Sequence, residues 1–160
     1  LPMPLFFDQV QQKQALFTIL DTSDFLVTYR AFQDEPVLEQ IPFLESFLRQ
    51  KQVYQIPVSA DVTPERVAQE IQTRFSEQQG SILLPGRQFD QFGTRHGRGH
   101  GWYDRLLSQV PSSYTRIGVT DEAHFFTERL VRKAWDEPVD WVICQQREQW
   151  NIVITGARNH

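Results

Sequence analysis

The stretch Pro85–Leu107, PGRQFDQFGTRHGRGHGWYDRLL, holds five of the chain's 8 glycines: Gly86, Gly93, Gly97, Gly99 and Gly101. Arg95, His96, Arg98 and His100 interleave with the last three, and Trp102, Tyr103, Asp104 and Arg105 follow. Glycine loses more conformational freedom on folding than any other residue and packs no side chain, so a dense cluster costs stability. Such a cluster suits backbone that must come close to a ligand. Glycines mixed with cations and opening into a helix suit a phosphate, because bare N–H groups and the helix dipole both favour an anion. A plain linker would be rich in Ser or Pro, whereas this stretch carries Arg, Trp and Tyr. It is not the dinucleotide fingerprint, which needs G-x-G-x-x-G and an acidic residue about 20 positions on, and no Gly-Lys-Ser/Thr follows to make a Walker A loop.

Outward from this stretch, Ser81–Leu84 (SILL) reads as a short buried strand entering it, and Tyr103–Gln109 as the helix leaving it. Towards the N-terminus, Leu5–Leu20 has helical apolar spacing with Gln residues on the opposite face. Asp21–Asp24 breaks that helix, and Phe25–Tyr29 (FLVTY) has the β-branched and aromatic content of a strand. Glu35–Gln50 reads as a second helix with Pro36 in its first turn; Pro42 inside it implies a late start or a kink. Val53–Val58 is a strand with Pro57 at its exit. Thr63-Pro64 opens a helix, with Thr as N-cap and Pro at the first helical position, running to about Gln79 where Gly80 stops it. Towards the C-terminus, Thr115–Thr120 is a strand and Asp121–Leu130 a short helix with His124 exposed. Asp140–Cys144 and Trp150–Thr155 are strands that a turn near Arg147 would join into an antiparallel hairpin, and the tail from Gly156 is expected to fray.

Strands alternating with helices imply an α/β fold with a mainly parallel sheet. Ligands in such sheets sit at the carboxyl ends of strands, which is where the glycine stretch follows Leu84. A length of 160 residues favours one domain, 1–160, with a real core. Net charge is -4, which argues against a general nucleic-acid binder; the cations gathered in the glycine stretch fit a small anion instead. Cys144 is the single cysteine, so no disulfide forms within the chain and a reducing, cytoplasmic setting is the simpler expectation. Cys144 itself reads as a small buried residue, with a reactive thiol as the alternative. No apolar run approaches the ~20 residues of a membrane span. The opening LPMPLFF lacks the basic n-region and long apolar core of a signal peptide.

Pro85, Phe89, Asp90, Gly93, Arg95, Gly97, Gly99, Gly101, Trp102, Tyr103 and Asp104 together reproduce the pattern P-x-x-x-F-D-x-x-G-x-R-x-G-x-G-x-G-aromatic-Tyr-Asp. On this pattern the chain resembles the 5-formyltetrahydrofolate cyclo-ligase family. Phe32–Glu35, Val53–Val58, Ile117–Val119 and Trp135–Ile143 extend the resemblance over most of the chain. It implies a three-layer, mainly parallel sheet with helices on both faces (NagB/RpiA/CoA-transferase-like) and an ATP- and Mg²⁺-dependent ring closure of 5-formyltetrahydrofolate. The implied partners are a reduced folate and ATP; neither nucleic acid nor membrane is expected, and the oligomeric state is left open, a monomer being slightly favoured.

By the same resemblance Arg95 and Tyr103 are the catalytic residues. The ATP loop is Arg95, Gly97, Arg98, Gly99, His100, Gly101, Trp102 and Tyr103. Glu35 contacts the folate together with Arg98, Gly99, His100, Gly101 and Trp102, and Asp104 and Asp136 ligate the metal. Read on their own, Asp104 also suits a helix start, Asp136 a turn before Pro138, Glu35 a helix N-terminus and Trp102 a core position. Asp90 suits a loop-fixing hydrogen bonder better than a catalyst. The chain departs from the family pattern in three places. Its first basic residue is Lys13, where the family's N-terminal helix carries phosphate-binding cations; a helix at Thr63–Gln79 replaces a pocket hairpin; and His100 stands where the family has Gly or Lys.

Overall fold

The computed structural model describes residues 8–158. In chain order the regular elements are α1 (Gln9–Thr22), β1 (Phe25–Thr28), α2 (Pro42–Gln50), β2 (Gln52–Gln55), α3 (Pro64–Arg74), β3 (Gly80–Leu84), β4 (Gln88–Asp90), β5 (Arg95–His96), α4 (Trp102–Gln109), β6 (Thr115–Asp121), β7 (Phe125–Phe126), β8 (Trp141–Gln146) and β9 (Gln149–Ile154). Short 3₁₀ turns at Leu38–Gln40 and Glu122–His124 precede α2 and β7. The main sheet has the order β2-β1-β3-β6-β8-β9, parallel throughout except for the last strand. The fold is therefore the expected α/β layer structure, with the C-terminal antiparallel hairpin β8–β9 turning at Arg147, whose φ is 58°.

Alternation along the strands builds two cores, one on each face of the sheet. Phe25, Val27, Ile82, Leu84, Val142 and Cys144 point to the face covered by α3 and α4, where they meet Val67, Ile71, Leu106 and Leu107. Leu26, Leu83, Ile117, Val119 and Ile143 point to the other face, where Leu16 and Leu20 of α1 and Leu44 of α2 cover them. Cys144 lies in the first core, and burial pushes its thiol up to about 12, so it is an inert packing residue. No helix among the described residues is long and apolar enough to cross a membrane.

Several elements differ from their expected bounds, each for a local reason. The helix expected from Leu5 is described from Gln9, and Leu5 to Phe7 lie outside the described residues. The second helix begins only at Pro42, because the ring fits the first helical position, whose N–H needs no partner. The helix opened by Thr63 ends at Arg74, and Gly80 is the first residue of β3 instead of a helix stop. Asp121–Leu130 is not a helix. Asp121 caps a 3₁₀ turn through His124, and Phe125–Phe126 then pair in parallel with Phe89–Asp90. That pairing completes a second, three-stranded sheet, β5-β4-β7, whose two- and three-residue strands lie inside the glycine stretch and beside it. The described part of the tail is anchored: Arg158 donates to both carboxylate oxygens of Asp140, at 2.8 and 2.7 Å, and to Tyr114 O.

Candidate active site

The strand order reverses between β1 and β3: the chain leaves β1 towards β2 and returns on β1's other side. Ligands of open α/β sheets lie at such a switch point, outside the carboxyl ends of the strands. A cleft of about 940 Å³ lies there. Segments following β1 (Arg30–Glu35), β2 (Ile56–Val62) and β3 (Pro85 through the glycine loop) form three of its sides. Lys133 to Asp136, before β8, closes the fourth.

The floor is set by the β4–β5 hairpin. Asp90 is buried and accepts hydrogen bonds from the N–H groups of Phe92 and Thr94 through Oδ1 and of Leu130 through Oδ2. It is the loop-fixing residue its sequence context suggests. Gly93 takes a φ of 93°, and a Cβ there would stand 2.5 Å from Val139 O, so no other residue fits the turn. Arg95 emerges from this turn with only 4% of its surface exposed. Its Nε donates to Pro85 O at 2.6 Å, and its Cζ lies 4.8 Å from the centroid of the Tyr103 ring. It makes no ion pair within 4.0 Å among the described residues. Burial lowers its pKa, opposed by the fields of Asp104, Tyr103, Glu35 and Asp136. A guanidinium keeps its proton even so, and a buried cation without a bonded counter-ion favours an anionic ligand.

The loop then passes through Gly97, Gly99 and Gly101. Gly97 lies against the Arg95 guanidinium, where a Cβ would approach to 3.2 Å. Gly101, with a φ of 63°, is the N-cap residue of α4 and carries no capping side chain. The first turn of α4 thus presents amide groups to the cleft, where its dipole favours negative charge. Trp102 packs edge-on against Tyr103, with centroids 5.0 Å apart, and donates from Nε1 to Val62 O. Burial pushes the Tyr103 phenol up to about 12, with Arg95 opposing and Glu35 adding to the rise, so the phenol keeps its proton at neutral pH. His100 is exposed on the lip.

Arg98 does not point to the floor. Its Nη2 lies 2.5 Å from Asp34 Oδ1 and 3.5 Å from Glu35 Oε2, and its guanidinium covers the Phe32 ring. It bridges the glycine loop to the loop after β1, across one end of the cleft. The same bond holds the Asp34 carboxyl below the usual carboxylate range. Glu35 is buried, and its Oε1 accepts from Phe32 N, which fixes the turn it belongs to.

Asp104 and Asp136 both line the cleft from different elements, near enough that each feels the other's charge. Asp104 sits in the first turn of α4, and its Oδ1 accepts from Glu137 N at 3.0 Å. Burial raises its pKa above the usual carboxylate range, the Glu137 N–H and Arg95 oppose that, and Asp136 adds to it. Asp136 Oδ2 accepts from Lys133 N at 2.7 Å, closing a tight turn. Each carboxylate thus has one oxygen held by a named backbone N–H. Sequence reasoning did not single out Arg30 or Lys133, the two further cations that line the cleft. Arg30 follows β1 at its carboxyl end, a position that marks it once the strand is known. Lys133 lies three residues before Asp136, in a stretch with no periodic pattern.

The fold and its cleft define an α/β protein with an open cleft at a strand-order switch point and a buried arginine on its floor. Residues 48–145 match the 5-formyltetrahydrofolate cyclo-ligase family, and the chain belongs to that family. The match includes the glycine loop, Asp104 and Asp136 and excludes the loop that carries Asp34 and Glu35. Among solved structures, the chain is similar to a 5,10-methenyltetrahydrofolate synthetase from Aquifex aeolicus. That match has 22% identity and a TM-score of 0.58, and it covers 98% of this chain and 89% of the other. It is also similar to a 5,10-methenyltetrahydrofolate synthetase from Mycoplasma pneumoniae, at 20% identity and a TM-score of 0.57, over 82% of this chain and 79% of the other. These two likenesses concern the fold. No curated protein sequence matches the chain.

Proposed function

We propose that the chain catalyses the ATP-dependent ring closure of 5-formyltetrahydrofolate to 5,10-methenyltetrahydrofolate, releasing ADP and phosphate. The observation that carries this reading is Arg95, a buried cation without an ion pair among the described residues. It lies on the cleft floor where the glycine loop and the start of α4 converge, in a chain whose family performs this reaction. Bound ATP supplies the phosphoryl group that turns the formyl oxygen into a leaving group, so that N10 can close on the formyl carbon. Phosphoryl transfer asks a protein for positioning and charge compensation more than for covalent chemistry. Arg95 stabilises charge developing on the phosphoryl oxygens. The N–H groups of Gly97, Gly99 and Gly101 cradle the phosphate chain, and Tyr103 donates a hydrogen bond beside Arg95. Trp102 and His100 line the path between nucleotide and folate, and Glu35 faces the pterin with Arg98 across it.

Asp104 and Asp136 fit the magnesium ion that the family uses. Mg²⁺ is held by one or two carboxylates and completes its shell with phosphate oxygens and water. The two carboxylates both line the cleft, close to one another. The other ligands would therefore come from the nucleotide and water. The reading further places the protein in the cytoplasm.

The test is to mix the purified chain with 5-formyltetrahydrofolate, ATP and Mg²⁺ and follow the near-ultraviolet absorbance of the methenyl product. The expected result is a rise that is lost on omitting ATP. No rise, under conditions where an active family member works, overturns the reading. The pairing of Arg98 with Asp34 and Glu35 favours one alternative, a family member that binds nucleotide or folate without turnover. Calorimetric binding of either ligand with no absorbance rise would establish it.

A further inference from the structure

Behind Asp104 and Asp136 lies a buried charged group that does not line the cleft. Arg116, on β6, is 4% exposed. Its Nη2 donates to Glu137 Oε1 at 2.9 Å and to Leu107 O at 3.3 Å, and its Nη1 donates to Pro138 O at 3.1 Å. Leu107 lies one turn beyond Asp104 on α4, and Pro138 lies two residues beyond Asp136. One guanidinium thus ties the element that carries Asp104 to the segment that carries Asp136. The ring closes on the cleft side, where Glu137 N–H donates to Asp104 Oδ1 at 3.0 Å. Arg116 is anchored in turn, since its own N–H donates to Asp140 Oδ2 at 2.9 Å.

The two carboxylates are 32 residues apart in sequence, on a helix and a loop with no strand pairing between them. This ring of bonds links the two elements that carry them. Neither Arg116 nor Glu137 lines the cleft, so neither would touch a ligand there. Partners that orient metal ligands from behind typically cost 10–100-fold in metal affinity when removed. We propose that Arg116 and Glu137 are the positioning pair that sets the spacing of Asp104 and Asp136, and with it the affinity of the cleft for a divalent cation. This rests on reading those two carboxylates as the cation's ligands.

The experiment measures ADP binding to the full chain by calorimetry, with Mn²⁺ and then with EDTA. The ratio of the two affinities isolates the contribution of the metal. The wild-type chain binds ADP more tightly with Mn²⁺. Glu137→Ala, which leaves the backbone N–H to Asp104 in place, reduces that ratio by about tenfold, with ADP affinity in EDTA unchanged. Arg116→Lys keeps the charge but loses the fork that reaches three acceptors. It lowers the ratio in the same direction and carries the test if the alanine variant does not fold. A full ratio in the variants overturns the proposal, as does an equal loss of ADP affinity with and without metal, which would mark a merely structural role. A wild-type chain that performs ring closure beside unaffected variants overturns the positioning pair alone. A wild-type chain with neither ring closure nor a Mn²⁺ effect overturns the functional reading with it.

Discussion

At the scale of single residues, the cleft depends on charges whose environments differ. Arg95 is buried, unlike the exposed cations of the loop, so its electrostatic effect on a phosphate is screened little. Arg95→Ala is expected to lower turnover on the order of 10²–10³-fold, read from the absorbance assay, with the far-ultraviolet circular dichroism unchanged. Asp104 shows the opposite situation, a carboxyl whose burial opposes its charge. Because its folded-state pKa lies above the unfolded value near 3.8, the folded protein takes up the proton more readily than the unfolded chain does. Its stabilising contribution is therefore complete below the unfolded value and is lost as pH rises through the folded one. Asp104→Asn, neutral at every pH, should melt above the wild-type chain at neutral pH in metal-free buffer, and the difference should shrink on acidification. A variant that melts lower at neutral pH, or a gap that widens in acid, would contradict this. The same variant should lose turnover, the usual conflict between stability and a site built from unfavourably placed charge.

At the scale of elements, caps and close approaches decide what the strands and helices can hold. Thr63 Oγ1 accepts from Arg66 N at 3.2 Å, the expected N-cap of α3. Thr63→Ala should cost about 1 kcal/mol, visible as a melting temperature lower by roughly 2–4 °C, with little change in turnover. Gly118 on β6 lies under Phe89 of β4, where an added Cβ would stand 2.3 Å from the ring. Phe89 pairs across the hairpin with Arg95. Gly118→Ala should therefore lose about 1–3 kcal/mol by overpacking and also reduce turnover, because relief of the clash displaces the hairpin that carries Arg95. Chemical denaturation and the absorbance assay would check the two effects separately. On the opposite edge, Gln9 exchanges both hydrogen bonds with the backbone of Ile152, and Gln12 accepts from Ile154 N. Glutamines that read as a solvent face in the sequence thus cover the open edge of β9, which would otherwise offer itself to another strand.

At the scale of the whole molecule, the cleft is an assembly of four chain segments, and a ligand that binds only the assembled form should stabilise all of it. At a hundredfold excess over Kd, binding contributes about 2.7 kcal/mol, or roughly 5–11 °C in melting temperature for a chain of this size. Mg²⁺-ATP should raise the melting temperature of the wild-type chain by that order and leave Arg95→Ala nearly unmoved. A shift of equal size in both would place the nucleotide elsewhere. The Arg98 bridge to Asp34 and Glu35 spans two of the segments, yet Arg98 and Asp34, its closest pair, are exposed, so its direct contribution to stability should be small.

Much of this protein was legible in the chain alone. The alternation of strands with helices marked the layered fold, Thr63-Pro64 marked the start of α3, and the glycine spacing with Arg95 and Asp104 marked the loop, because each rests on local sequence pattern. What depended on distant partners was not legible. β4, β5 and β7 are too short to show a period and exist because they pair with one another. The run Asp121–Leu130 read as a short helix, and the pairing of Phe125–Phe126 with Phe89–Asp90 overrode that reading. Arg98 read as a cation aimed at phosphate until folding brought Asp34, 64 residues away, within hydrogen-bonding distance. Sequence determined which groups the cleft would contain. Tertiary structure decided which of them stay free to meet a ligand, since a charge bonds to the nearest complementary group in space, whatever its distance along the chain.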